Sequence, residues 1–135
     1  MDADNLSQPC PCGKASNYAD CCHRFISGKK LPKTPEQTMR SRYAAYALGG
    51  CGEYLLNTWF PITARGLSAQ ELSAKTKTWR KLEVLTKTQN GDDGTVEFRA
   101  YYDDLNSSSG LSVLHENSEF KRIAGRWLYI GGRVK

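Results

Sequence analysis

Apolar residues follow no regular spacing over the N-terminal segment of the 135-residue chain, then a helical one, then a period of two. Met39, Tyr43, Tyr46 and Ala47 recur at the spacing of one helical face and are expected to meet a core. Thr34 is placed to cap that helix, Pro35 to occupy its first turn and Gln37 to complete a capping box. Gly49 and Gly50 stop it. A second short helix is predicted from about Glu53 to Phe60, ahead of Pro61, and a third from Ser68 to about Lys75, with Ser68 and Glu71 in capping relation. From Trp79 to Gln89, Leu82, Val84 and Leu85 sit among Thr residues in a predicted strand, and the Asn90–Gly94 cluster reads as a turn. Val96, Phe98, Ala100 and Tyr102 mark one face of the next strand. Leu111, Val113 and His115 mark one face of a third, with Leu114 and Phe120 on the other, and Trp127, Tyr129 and Ile130 belong to a last strand after Ala124-Gly125. Helices followed by a run of strands predict an α+β domain with an antiparallel sheet.

Composition supports a folded chain. Hydrophobic residues make up 39%, enough to build a core, yet no apolar run approaches the ~20 residues that cross a bilayer. The opening Met1-Asp2-Ala3-Asp4-Asn5 is acidic and lacks the basic-then-apolar order of a secretory leader, so a soluble, cytoplasmic protein without membrane contact is expected. The net charge of +5 is concentrated around Arg65, Lys75, Lys77, Arg80, Lys81 and Lys87, with Glu71 and Glu83 opposing it locally. Such a stretch could attract nucleic acid or an acidic protein partner. No nucleic-acid motif accompanies it, and a solvated surface is the favoured reading.

Four of the five cysteines lie close together: Cys10, Cys12, Cys21 and Cys22, with Cys51 apart. Disulfides suit this spacing poorly, because neighbours such as Cys21 and Cys22 would need a strained peptide and the expected compartment is reducing. Zinc suits it well, since two short arms can each present two sulfurs to one ion. Pro11 stiffens the first arm, and Gly13 permits a tight turn whose N–H groups can face sulfur. His23 competes with Cys22 for the fourth position. A closed four-ligand site leaves no place for water or substrate, so one structural zinc is expected. Lys14, Tyr18, Arg24 and Phe25 would then face a protein partner, unless Tyr18 and Phe25 pack the small metal-centred core. The Gly28–Thr34 stretch reads as a linker, which divides the chain into a knuckle over 1–27 and a domain over 35–135. Chelation is expected to unfold the knuckle alone.

Cys10-Pro11-Cys12-Gly13 with Tyr18 and Cys21-Cys22 resembles the SEC-C motif, which carries Lys14 here in place of the usual Ser. In the SecA tail that motif binds zinc, with His in the place of Cys22, and contacts the chaperone SecB. The longer chain resembles the YchJ family of bacterial proteins through several further segments. These are Met39-Arg40-Ser41-Arg42-Tyr43, Leu55 with Thr58-Trp59 and Pro61, Leu114-His115-Glu116 with Ser118 and Phe120, and Gly125-Arg126-Trp127-Leu128-Tyr129. Asn117 and Glu119 depart from the family, which usually shows Arg there. The resemblance implies a domain like nuclear transport factor 2, also called cystatin-like: helices folded into a curved antiparallel sheet, forming a cone with a pocket. That cone serves both enzymes and pure binding domains, so it specifies no reaction.

The candidate pocket residues are Arg40, Tyr43, Trp59, Tyr102 and His115. Arg40 and Arg42 lie about 200° apart around a helix, so at most one enters a given pocket, and the other is expected at the surface or paired with Glu36. His115 could act as a base with Tyr43 or Tyr102 as donor, or be a hydrogen-bonded core or rim histidine. It cannot form a dyad with Glu116, which points to the opposite face of a strand. Cys51 reads as a small buried residue rather than a reactive thiol. Two functions are therefore weighed: a protein-interaction or adaptor module built on the knuckle, favoured, and small-molecule binding or catalysis in the cone.

Overall fold

The computed structural model describes residues 6–135. The acidic opening read above, Met1–Asn5, lies outside the described residues. A 3-10 turn at Tyr18–Asp20 precedes helices α1 (His23–Ile26), α2 (Pro35–Leu48), α3 (Gly52–Asn57) and α4 (Ala69–Ser73). Strands β1 (Trp79–Asn90), β2 (Asp93–Asp103), β3 (Leu111–Ile123) and β4 (Arg126–Val134) follow. They form one antiparallel sheet in the order β1-β2-β3-β4, a meander with α2 packed against it. This is the α+β arrangement that the change of period predicts. Among the described residues, no helix is long and apolar enough to cross a membrane.

Local chemistry sets the element ends. Thr34 Oγ1 accepts from the Gln37 N–H at 3.1 Å, and Gln37 Oε1 accepts from the Lys33 N–H at 2.7 Å, so the box closes one residue earlier than expected. The second helix stops at Asn57 instead of Phe60 because the chain beyond it turns into a ladder with β4. The Phe60 N–H donates to the Tyr129 carbonyl, and the Tyr129 N–H donates to the Thr58 carbonyl, both at 2.8 Å. Those backbone bonds hold Trp59 over the sheet, edge-on to Tyr129 with ring centres 5.3 Å apart.

The pleat sorts β2 and β3 into two faces. Val96, Phe98 and Ala100 are buried on the inner face, while Glu97, Arg99 and Tyr101 lie on the outer one. Register then sets β3: Glu116 lies opposite Phe98 and Ser118 opposite Val96, on the inner face, whereas His115 lies opposite Arg99 on the outer face. Met39, Tyr43 and Ala44 of α2 meet Phe98, Phe120 and Trp127 in the core. Burying a side chain such as Phe120 contributes roughly 2–3 kcal/mol.

The knuckle does not hang on its linker. Cys10, Cys12, Tyr18, Cys21 and Cys22 belong to the same buried cluster as Met39, Leu82 and Trp127. Tyr18 and Phe25 are buried, so they pack this region and do not offer a docking face.

Candidate metal centre and inner cavity

The first arm of the knuckle is shaped by a tight turn. The Gly13 N–H donates to the Cys10 carbonyl at 3.1 Å, and Gly13 takes a φ of 89°, where a side chain would be strained. The next N–H, from Lys14, points at the Cys12 sulfur. The second arm enters through the 3-10 turn, whose last bond runs from the Cys21 N–H to the Tyr18 carbonyl. Together they bring the sulfurs of Cys10, Cys12, Cys21 and Cys22 within 4.8 Å of one another, all buried. Cys12 and Cys21 stand 3.6 Å apart, close to the ~3.8 Å edge of a tetrahedron with metal–sulfur bonds near 2.3 Å. His23 is outside this donor set and lies edge-on to Tyr18, with ring centres 5.1 Å apart.

The four thiols cannot ionise independently. Hydrogen bonds from Cys10 and Cys22 hold the Cys12 thiol well below its usual range, whereas burial pushes Cys21 up to about 12. The hydrogen bond with Cys10 likewise pushes Cys22 up. Four adjacent thiolates in a buried site need a cation between them, and this donor set fits one thiophilic metal ion.

A polar seam joins the knuckle to α2. Arg40 Nη1 donates to the Cys12 carbonyl at 2.7 Å, and its Nε donates to Glu36 Oε2 at 2.8 Å. Lys87 of β1 reaches the other Glu36 oxygen at 2.6 Å. Burial alone would raise the Glu36 carboxyl, but Lys87 and Arg40 outweigh it and hold the group below its usual range. Arg40 therefore belongs to the seam and not to the pocket.

On the other side of α2 the sheet encloses a cavity of about 260 Å³. Tyr43 and Trp59 line it, as does Arg42, while Arg40, Tyr102 and His115 do not. Tyr102 stacks edge-on to Trp79 at 5.2 Å, under the Lys77 ammonium. His115 bonds Glu97 on the outer face, Nε2 to Oε2 at 2.7 Å, which corrects its assignment to the pocket. Tyr46, Glu116 and Tyr129 also line the cavity; sequence reasoning weighed Glu116 beside His115 and missed Tyr46 and Tyr129 as pocket residues. A signal for the helical pair was present: Arg42 lies three residues after Met39 and four before Tyr46, on the core stripe, whereas Arg40 lies four after Glu36.

Arg42 is 6% exposed. Its Nη1 donates to the Leu55 carbonyl at 2.7 Å and to Thr58 Oγ1 at 2.8 Å. The guanidinium lies 4.6 Å from the ring centres of both Trp59 and Tyr129. Glu116 Oε2 accepts from Ser118 Oγ at 2.6 Å and from the Tyr129 hydroxyl at 3.0 Å. Burial first, and then the Glu116 charge, push the Tyr129 phenol above its ordinary range. Any side chain at Gly132 would collide with the Glu116 carboxylate, so the absent Cβ makes room for it. Cys51 is half-buried, with its sulfur 3.5 Å from the Gly49 carbonyl.

A cysteine-clustered knuckle set on a helix-backed, four-stranded antiparallel sheet defines a SEC-C motif joined to a nuclear transport factor 2-like domain. Residues 34–132 match the YchJ middle NTF2-like domain, and the chain belongs to that family. A UPF0225 protein of Sodalis glossinidius is 42% identical over 95% of this chain and 84% of its own length. One from Corynebacterium glutamicum is 36% identical over 96% of this chain and 99% of its own. The solution structure of RPA3114, a SEC-C motif containing protein from Rhodopseudomonas palustris, superposes with a TM-score of 0.83. It is 32% identical, and the match covers 93% of this chain and 98% of that one.

Proposed function

We propose that the chain is a zinc-stabilised interaction protein whose knuckle, together with the adjoining Gly28–Thr34 stretch, presents lysines to an acidic protein partner in the cytoplasm. The closed set of four buried sulfurs carries this reading, because it leaves the metal a structural task. Four thiolates favour zinc or iron, and zinc is the ion assigned because a closed structural site needs no redox chemistry. Thiols gathered at one point and left unpaired by disulfides suit a reducing compartment. The outward side chains support the polarity of the partner: Lys14, Lys29, Lys30 and Lys33 are all exposed. The central basic stretch is a weaker candidate for nucleic acid, since Arg80, Lys81 and Lys87 each pair with a carboxylate.

The test is affinity capture from bacterial lysate by the zinc-loaded chain and by a Lys14→Glu, Lys29→Glu, Lys30→Glu variant, with zinc content measured for both. A protein retained by the first and lost by the second, at equal zinc content, supports the reading. Identical eluates would overturn it.

A second reading is favoured by the inner cavity, whose buried guanidinium and aromatic walls form a compartment for a small molecule.

A further inference from the structure

Arg42 carries its charge into the interior without a contact counterion. Its nearest acid across the cavity, Glu116, acts on it only through space. Among the described residues, no carboxylate forms an ion pair with it, and both of its hydrogen bonds leave from Nη1. Nε and Nη2 make no hydrogen bond to the described residues and are not sealed from solvent, so they keep donor capacity toward the cavity. A buried, unpaired charge is costly, and the two stacked rings offset that cost only in part. Trp59 adds a second unanswered donor: its indole Nε1–H is buried and has no hydrogen-bond partner among the described residues. Buried N–H groups are nearly always paired, so an orphan on the ring that stacks on Arg42 calls for an acceptor.

The rest of the lining limits what that acceptor can be. Glu116 stands in the same cavity, already accepting from Ser118 and Tyr129, and it would repel a doubly charged anion. Met39, Phe98, Ala100, Leu114 and Phe120 give the cavity an apolar wall, beside the hydroxyls of Tyr43, Tyr46 and Thr76. A volume of about 260 Å³ lies just below the roughly 300–1,000 Å³ of drug-sized sites, which suits one compact molecule. Lys77 is exposed and also borders the cavity, a second cation on the approach.

We infer that the inner cavity binds a small monocarboxylate with an apolar or aromatic body, its carboxylate on Arg42 and the Trp59 indole N–H and its body against the sheet. This rests on the small-molecule reading of the cone and names its ligand class. The carboxylate would accept from the unpartnered Arg42 donors and, after a small rotation of the Trp59 ring toward the cavity, from its indole N–H, and its single charge would tolerate Glu116. The apolar body would displace loosely held water from the sheet face.

The experiment is a titration of the zinc-loaded full chain with benzoate, hexanoate, benzyl alcohol and benzylamine, followed by the three tryptophan indole N–H resonances in 1H–15N spectra. Benzoate and hexanoate are expected to move the Trp59 indole resonance to saturation, at least tenfold more tightly than benzyl alcohol, with benzylamine weaker still. Trp59→Phe keeps a ring on Arg42 and removes the orphan donor, so it is expected to fold normally and to weaken benzoate severalfold, read from backbone amides of β3. Arg42→Gln, checked first for an intact spectrum, is expected to abolish the preference for the acid over the alcohol. Benzyl alcohol binding in the cavity as tightly as benzoate would leave the small-molecule reading standing and overturn the carboxylate. Benzoate affinity unchanged by Trp59→Phe would overturn the assigned contact. Cavity resonances unmoved by every probe at millimolar concentration would overturn both readings.

Discussion

The knuckle and the inner cavity lie on either side of one helix and are built in opposite ways. Both knuckle arms are local: four donors within thirteen residues converge because short turns leave their sulfurs little choice. The cavity is assembled from afar, with Arg42 on α2, Trp59 beyond α3, Glu116 on β3 and Tyr129 on β4. One site closes on its own ligands and the other stays open, with donors unanswered. Helix α2 separates them, Arg40 serving the metal side and Arg42 the cavity side. Two arginines two residues apart thus hold distinct tasks because the helix turns about 200° between them.

The comparison can be broken most severely at the metal. Structural zinc is worth on the order of 10 kcal/mol in short peptides, comparable with the whole stability of a small domain. Cys12→Ser is therefore expected to lower the melting temperature of the entire chain in a single calorimetric transition, because the knuckle shares the central core. Two separated transitions would mean that the knuckle is an independent module.

The seam comes next. Arg40→Ala removes the side-chain donor to the Cys12 carbonyl and leaves Glu36 with Lys87 as its remaining partner, an expected loss of about 1–3 kcal/mol in urea unfolding. An unchanged midpoint would show that packing alone holds the two regions together. On the cavity side, Gly132→Ala forces the Glu116 carboxylate away from Tyr129 and is expected to cost about 1–2 kcal/mol. Zinc content should not change. Loss of zinc in that variant would show that the two sites are coupled through α2.

The smallest effect is that of pH on the seam. The Glu36 carboxyl is held below its unfolded value near 4.3, so its contribution is complete above that value and is lost as pH falls through the lower, folded one. The amount is at most about 1 kcal/mol, since Lys87 is largely exposed. Wild type and Glu36→Gln, melted between pH 6 and 3, should differ least at the acid end. A gap that widens on acidification would reverse the assignment.

The sequence was most readable where chemistry is local. The clustered cysteines and the cap at Thr34 are set by neighbours a few residues away, and spacing alone exposes them. Arg42 was half-visible, because its place on the Met39–Tyr46 stripe is legible although a charged residue there is unexpected. The face of His115 was decided by register: pairing Phe98 with Glu116 sends His115 outward to Glu97, and a slip of one residue would have reversed it. Trp59 reached the site through a backbone bridge to Tyr129 seventy residues later, which no local pattern encodes. The union of knuckle and domain in one core was likewise invisible, since the Gly28–Thr34 stretch has a linker's composition whether or not the parts pack.

The most direct test of the account is amide hydrogen exchange on the zinc-loaded chain before and after chelation. The shared core predicts that protection falls both in residues 10–26 and at Met39, Leu82 and Val96 on removal of the metal. Protection lost in the knuckle alone, with α2 and the sheet unchanged, would contradict it.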